Sequence, residues 1–325
     1  MMSGETGAKG GKTGVTARRL LPYLITVIAF AALAILTDVK ETVTALISIN
    51  PRYLALIIVL SLTSNVLFMS IRIKILFDDV GCPISLSDSA MLRLGGMPLR
   101  ILLPLKLGEG VKVLYLKTNS ALGITSGIGV VLFDKATALL GLLTASTLCL
   151  VLYGGHSWIT LLSLAAFTAL FALYFTRLGT ALFTRFSTRP GILSKAYELV
   201  STADRVGVKC KTLVYAISLA TWSCDFLQFY FCFRAVGIEV NLVHFLSTIP
   251  IVLFVGSLPI AVEGLGIREV SLIALMAAAG SDSHVLGAGL LFSFTDSLFL
   301  AILGLPFVAP LMKRVVRDQK TDGDH

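Results

Sequence analysis

Charge is what this chain has least of. Asp, Glu, Lys and Arg make up 14% of its 325 residues, against about 25% in ordinary soluble domains. Hydrophobic residues make up 56%, and the mean hydropathy is +0.88. That balance excludes a soluble globular protein and defines a polytopic membrane protein. The longest polar stretches are the N-terminal tail, a loop near 177–211 and the C-terminal tail, so no soluble domain of useful size is expected. Metal and redox chemistry also lack their residues. The five cysteines form no C-x-x-C pair, and Cys149, Cys224 and Cys232 lie in apolar runs. They read as small buried hydrophobes, not as a disulfide or metal framework. The four histidines sit in loops or the tail, with no H-E-x-x-H. No G-x-x-x-x-G-K-[ST] loop is present, which excludes ATP hydrolysis of that kind. No cofactor is expected.

What the chain does have is long apolar runs edged by bands of basic residues. Its net charge of +8 therefore reads as the positive-inside rule and attraction to anionic lipid surfaces, and no nucleic-acid partner is expected. Six full spans are expected near Leu20–Thr37, Tyr53–Ile71, Gly129–Tyr153, Trp158–Phe175, Leu213–Phe233 and Val285–Met312. Leu20–Thr37 follows Arg18 and Arg19 but is long for a signal-peptide core and lacks a small-residue cleavage site, so a retained first helix is expected. Two broken apolar regions, Ile84–Tyr115 and Val243–Ala279, read as hairpins that enter the bilayer and return. The Lys and Arg bands place both termini and the loop 177–211 in the cytoplasm of a plasma-membrane protein. The first hairpin then starts and ends inside, the second outside. The expected organisation is a tail over 1–19, one transmembrane domain over 20–312 and a tail over 313–325. Its halves, 53–153 and 213–312, would form an inverted-topology repeat. The fold class is all-α, with six spans and two re-entrant hairpins.

The two broken regions match each other. One reads Leu103-Pro104-Leu105-Lys106-Leu107-Gly108-Glu109-Gly110-Val111-Lys112, the other Leu258-Pro259-Ile260-Ala261-Val262-Glu263-Gly264-Leu265-Gly266-Ile267-Arg268-Glu269. Pro and Gly break helices, and broken backbone at membrane depth survives only against protein or a watery cavity. A pair of such breaks in corresponding positions points to a transport-type site. Lys106, Lys112 and Arg268, near helix N-termini, have the charge and donors to hold an anionic headgroup. The alternative is that Glu109, Lys112, Glu263, Arg268 and Glu269 are ion pairs holding the hairpins closed.

Asp225 and Asp296 stand near the middles of otherwise uncharged spans. Intramembrane acids are costly and mark functional sites by default; proton coupling or contact with a cationic headgroup are their roles, and gluing helices is the alternative. Asp134 and Lys135 start the third span. Adjacent helical residues point about 100° apart, so the two need partners elsewhere or lie at headgroup level. Arg93, Arg100 and Lys117 are expected to snorkel to cytoplasmic headgroups. Asn65 and Gln228 are expected to hydrogen-bond between helices. Gly95-Gly96 with Met97-Pro98 reads as the first hairpin's turn or kink.

Three motifs resemble the lysylphosphatidylglycerol synthase transmembrane region family, also described as flippase-like integral membrane proteins. They are Pro104-x4-Glu109-x2-Lys112, the pair Asp134-Lys135, and Pro259-x4-Gly264-x-Gly266-x-Arg268-Glu269. The resemblance runs over roughly residues 20 to 312. It implies a polytopic helical fold with re-entrant hairpins, and movement of lipids or lipid-linked molecules between leaflets. The family often has Glu-Arg with an Asp three residues later, where this chain has Asp134, Lys135 and Ala138. Members fused to a soluble aminoacyl-transfer domain make charged phospholipids; this chain ends soon after its last span and is expected to lack that domain. The preferred reading is therefore a flippase or scramblase without an ATPase, with membrane lipids as partners and lipid-synthesis enzymes as further possible ones. The runner-up is a membrane-embedded enzyme using Glu109 or Glu263 as base, and the third a scaffold for lipid synthesis.

Overall fold

The structure, a computed structural model, describes residues 10–103, 108–153, 158–176, 181, 199, 201–202, 204–258 and 260–316. Among them no strand forms; the fold is all-helical. Helix α1 (Gly10–Leu36) turns through 95° between Leu20–Leu36 and α2 (Val39–Ile47). A long helix follows, built of α3 (Pro51–Leu62), a π turn (Thr63–Phe68) and α4 (Met69–Asp79). Next come α5 (Leu86–Leu102), α6 (Gly110–Asn119), α7 (Ile124–Tyr153) and α8 (Trp158–Phe175). The chain continues with α9 (Val208–Ala235), α10 (Leu242–Ser257), a 3-10 turn (Val262–Gly264) and α11 (Ile267–Met276). It closes on α12 (Asp282–Ser293), a second π turn (Phe294–Leu298) and α13 (Phe299–Val316), which run as one helix.

Local sequence explains many of these ends. Asp38, Asn50, Ser85, Asn241 and Ser281 cap α2, α3, α5, α10 and α12, each accepting a backbone N–H of the first turn. The long helices α4 and α9 both end at a left-handed glycine, Gly81 and Gly237. Beyond each, the chain bonds back, Cys82 N–H to Phe77 O and Ile238 N–H to Phe233 O.

Among the described residues three helices are long and apolar enough to cross a membrane, Pro51–Asp79, Ile124–Leu152 and Asp282–Val315; the bent pair α1–α2 makes a fourth if it is one span. Helix α9 has the length, 28 residues. It carries Lys209, Lys211, Asp225, Gln228 and Arg234 along its course, which dilute its apolarity. Arms α6 and α11 have 10 residues each, about 15 Å of helix, half of a bilayer's apolar thickness. Outer faces of α1, α8 and α13 carry exposed Leu24, Val27, Leu161, Leu162, Ile302 and Leu305, as lipid contact requires.

The buried apolar side chains form two large clusters stacked along the long helices. One gathers Ile57, Phe229, Phe233, Val285 and Phe292; the other Ile73, Phe77, Val214, Leu311 and Val315. In sequence, Asn65 falls between Ile57 and Ile73, Asp225 between Val214 and Phe229, and Asp296 between Phe292 and Leu311. A polar layer is thereby held at mid-length between two apolar cores.

One expectation is corrected here. Of the two readings for Gly95, Gly96, Met97 and Pro98, turn or kink, the turn is excluded: all lie inside α5, with Pro98 as its internal proline. Gly95, Met97 and Pro98 pack closely against α13. A Cβ on Gly95 would come within 2.9 Å of Leu311, and one on Gly304 within 2.1 Å of the Leu94 carbonyl. Small residues at such crossings replace the hydrophobic drive that lipid does not supply.

Candidate functional site

Each hairpin returns on its own first arm at a glycine. A Cβ on Gly108 would lie 2.4 Å from the Arg100 nitrogen, and one on Gly264, at φ +75°, 2.2 Å from the Gly256 carbonyl. Neither place admits a side chain, so the glycines set how tightly the hairpins fold. Glu263 itself has φ 51° and ψ 22°, a left-handed conformation rare outside glycine and often kept at functional sites. Pro104, Lys106 and Pro259 lie outside the described residues.

The hairpin charges neutralise one another. Glu109 lies 2.8 Å from the Lys112 ammonium and 2.6 Å from that of Lys135, with Arg100 at 3.6 Å. Asp134 pairs with Arg72 at 2.8 Å and Lys112 at 3.4 Å. Asp134 and Lys135 thus find partners on different elements, as their angular separation demands. They sit well inside α7, which begins at Ile124. Arg100 of α5 grips Glu263 with a two-point fork and so ties the first hairpin to the second. Buried pairs of this kind contribute little net stability, but removing one partner is costly.

The second hairpin carries its own network. The Gly266 N–H, at the start of α11, donates to Glu269 Oε2 at 2.7 Å. Glu269 Oε1 accepts from the Ser293 hydroxyl. Arg268 donates to Ser293 Oγ at 2.6 Å and lies over the Phe292 ring at 4.9 Å. Its nearest carboxylates are Glu269 at 3.6 Å and Asp296 at 4.0 Å.

The polar layer joins the two halves at the π turns. A π turn adds a residue to one helical turn and recurs at functional sites. Ser64 and Asn65 sit in one, Thr295 and Asp296 in the other. Asn65 Nδ2 donates to Asp296 Oδ1 at 2.8 Å and to Ser64 Oγ at 3.0 Å; the Ser64 hydroxyl donates to Asp225 Oδ1 at 2.7 Å. Arg93 donates from Nε to the Asn65 carbonyl at 2.9 Å and from Nη2 to Asn65 Oδ1 at 2.7 Å. Gln228 donates to the Thr295 hydroxyl at 2.9 Å, and Ser61 to the Thr295 carbonyl at 2.8 Å. Asn65 and Gln228 therefore bond between helices, as expected.

These networks wall a cavity of about 690 Å³, within the range of small-molecule sites. Glu109, Lys135, Asp225, Glu263, Arg268 and Asp296 line it, with Asn65, Arg72 and Arg100. So do the apolar Leu139, Leu142, Trp222, Leu253 and Phe292. Lys112, Asp134 and Glu269 are not among the lining residues; they hold those that are. Gly264 and Gly266 shape the turn. Leu132 of α7 and Phe254 and Ser257 of α10 line the cavity and are also exposed, and Lys135 is 40% exposed, so the cavity reaches the surface between these helices. Among the described residues no group of three His, Cys, Asp or Glu forms a metal site.

Arg93 and Arg100 overturn the snorkelling expectation. Both point inward, because carboxylate and amide partners satisfy them there better than a distant headgroup region. Their spacing held the signal: residues seven apart share a helix face. Lys117 is exposed.

Fold and site together define a helical membrane protein with a charged and apolar cavity between two helical hairpins. The chain belongs to the lysylphosphatidylglycerol synthase TM region family, whose pattern matches residues 20–304. It is also similar to a UPF0104 membrane protein of Methanothermobacter thermautotrophicus, with 30% identity over 92 residues. That match spans 28% of this chain and 26% of the relative's length.

Proposed function

We propose that this protein translocates a lipid or lipid-linked molecule with an anionic headgroup between leaflets, as a flippase or scramblase without its own ATPase. The observation that carries this reading is the cavity. It combines Arg72, Arg100, Lys135 and Arg268 with apolar walls, and it reaches the surface between α7 and α10. A headgroup sits among the charges while its acyl chains stay in lipid outside Leu132 and Phe254. The enzyme reading is weaker, because Glu109 and Glu263, its candidate bases, are tied to cations.

The inverted repeat belongs to this proposal. Each half runs as a long helix ended by glycine, a side-chain-capped arm with an internal proline (Pro98, Pro250), a short second arm and another long helix. Inverted halves allow one central site to face each leaflet in turn. Basic bands place both termini in the cytoplasm. A C-terminal reporter active only in the cytoplasm should therefore be active, and a silent but expressed fusion refutes this orientation.

The functional test uses vesicles reconstituted with purified protein and fluorescent lipids, followed by quenching of the outer leaflet. Wild-type protein should expose anionic lipid of the inner leaflet faster than protein-free vesicles do. Arg100→Ala should slow this roughly ten- to hundredfold at equal protein, from the loss of a charged hydrogen bond to the headgroup of about 1.5–3 kcal/mol. Wild-type rates no faster than empty vesicles, for anionic and neutral lipids alike, refute translocation.

A further inference from the structure

The geometry points to a phosphate site at Arg100 and Lys135 that Glu263 and Glu109 now occupy, so that a lipid phosphate enters by displacing protein carboxylates. This rests on the translocation reading above and adds the ligand's chemical class and its contact residues.

Arg100 presents its fork to the cavity. Nε lies 3.3 Å from Glu263 Oε1, and Nη2 bonds Glu263 Oε2. Two oxygens of one planar carboxylate thus meet two guanidinium N–H groups, and a phosphate mono- or diester offers the same pair of oxygens. Lys135 comes to the same wall from the mouth, 2.6 Å from Glu109 Oε1, while Arg100 is 3.6 Å from that oxygen. The other candidate cations are worse placed. Lys112 stands behind the wall between Glu109 and Asp134, and Arg268 is held by Ser293 and Phe292.

The carboxylates are also displaceable. Glu263 stands on a short 3-10 turn in a left-handed conformation, so its departure unwinds no long helix. Glu109 keeps Lys112 at 2.8 Å when Lys135 turns to a ligand. Because Arg100–Glu263 joins the two hairpins, phosphate binding also releases one hairpin from the other. Binding and opening become one event, which a translocator needs and a rigid ion pair does not provide.

Trp222 lines the cavity and reports occupancy; Trp158, the other tryptophan, is exposed and is removed as Trp158→Phe. The full chain in a glycoside detergent is titrated with dioleoyl phosphatidic acid, dioleoyl phosphatidylglycerol, dioleoylglycerol and glycerol 3-phosphate. Both phosphate lipids should bind at least about tenfold tighter than dioleoylglycerol. Glu263→Gln removes the competing charge and should tighten phosphate-lipid binding about three- to tenfold, leaving dioleoylglycerol unchanged. Arg100→Ala should weaken it about tenfold or more, and adding Glu263→Gln to Arg100→Ala should change nothing further. Lys135→Gln, on the half-exposed rim, gives the same weakening should Arg100→Ala not fold. If Glu263→Gln weakens binding, or shifts all four probes alike, the pair is structural and the site is wrong. If glycerol 3-phosphate binds as tightly as the lipids, the lipid source is wrong. Transport in vesicles separates the two readings. Translocation without the binding pattern refutes this site alone, and the pattern without translocation refutes the translocation reading alone.

Discussion

Glu269→Ala should leave little stable protein. Glu269 is wholly buried, at 0% exposure. One oxygen accepts the Gly266 N–H at 2.7 Å and the other the Ser293 hydroxyl, while Arg268 stands 3.6 Å away. Alanine orphans the N–H that starts α11, the serine and part of a buried guanidinium at once. Breaking a buried ion pair costs about 3–5 kcal/mol, a large share of the roughly 5–15 kcal/mol that holds a domain together. Glu269→Gln should fall between wild type and alanine. Its amide oxygen still accepts from Gly266, and its NH₂ faces Ser293, but the charge opposite Arg268 is gone. Thermal unfolding in detergent, followed by monodisperse recovery, measures this. An alanine variant that melts within about 2 °C of wild type means that Glu269 is not what fixes the second hairpin.

The contrast between Glu269 and Arg100 indicates what the sequence makes visible. Glu269 was legible as a hairpin charge because it follows Gly264-x-Gly266 in a broken apolar run. The N-caps Asn50, Ser85 and Asn241 were not read from the sequence, although an N-cap is a local bond within a few residues. Arg93 and Arg100 were misread because proximity to a span's end was weighed and helical phase was not. The partners of Asp134 and Lys135 were beyond reach: Arg72, Lys112 and Glu109 come from other elements, and pairing across them is decided by packing. For the same reason the sequence offered ion pairs among Glu109, Lys112, Glu263, Arg268 and Glu269 as an alternative, but not which carboxylate meets which cation, nor that Arg100 is the partner of Glu263. The π turns left no local signal, because an extra residue in one helical turn follows no composition rule. Only the polar pairs Ser64-Asn65 and Thr295-Asp296 in apolar helices marked where they fall.

Asn65→Leu should be the most damaging change in the polar layer, although it removes no charge and swaps one side chain for another of similar size. Asn65 is the joint between two charged groups: its carbonyl oxygen Oδ1 accepts from Arg93 at 2.7 Å and its Nδ2 donates to Asp296 at 2.8 Å. Hydrogen bonds to charged groups contribute about 1.5–3 kcal/mol each, so the loss is on the order of 3–6 kcal/mol if both groups stay unpaired. The Arg93 bond to the Asn65 backbone carbonyl survives, at 2.9 Å, which places the expected loss toward the lower end. Asn65→Asp should be milder on the Arg93 side, where a carboxylate still accepts. It should be harsh on the Asp296 side, where two acids then face each other. The cause can be isolated with Asp296→Asn in the Asn65→Leu background. If the orphaned carboxylate is the main cost, neutralising it should recover about 1–3 kcal/mol, so the double variant melts above Asn65→Leu alone. Additive losses from the two changes would mean that Asn65 and Asp296 do not act together, and that the polar layer is a set of separate bonds and not one network across the cavity.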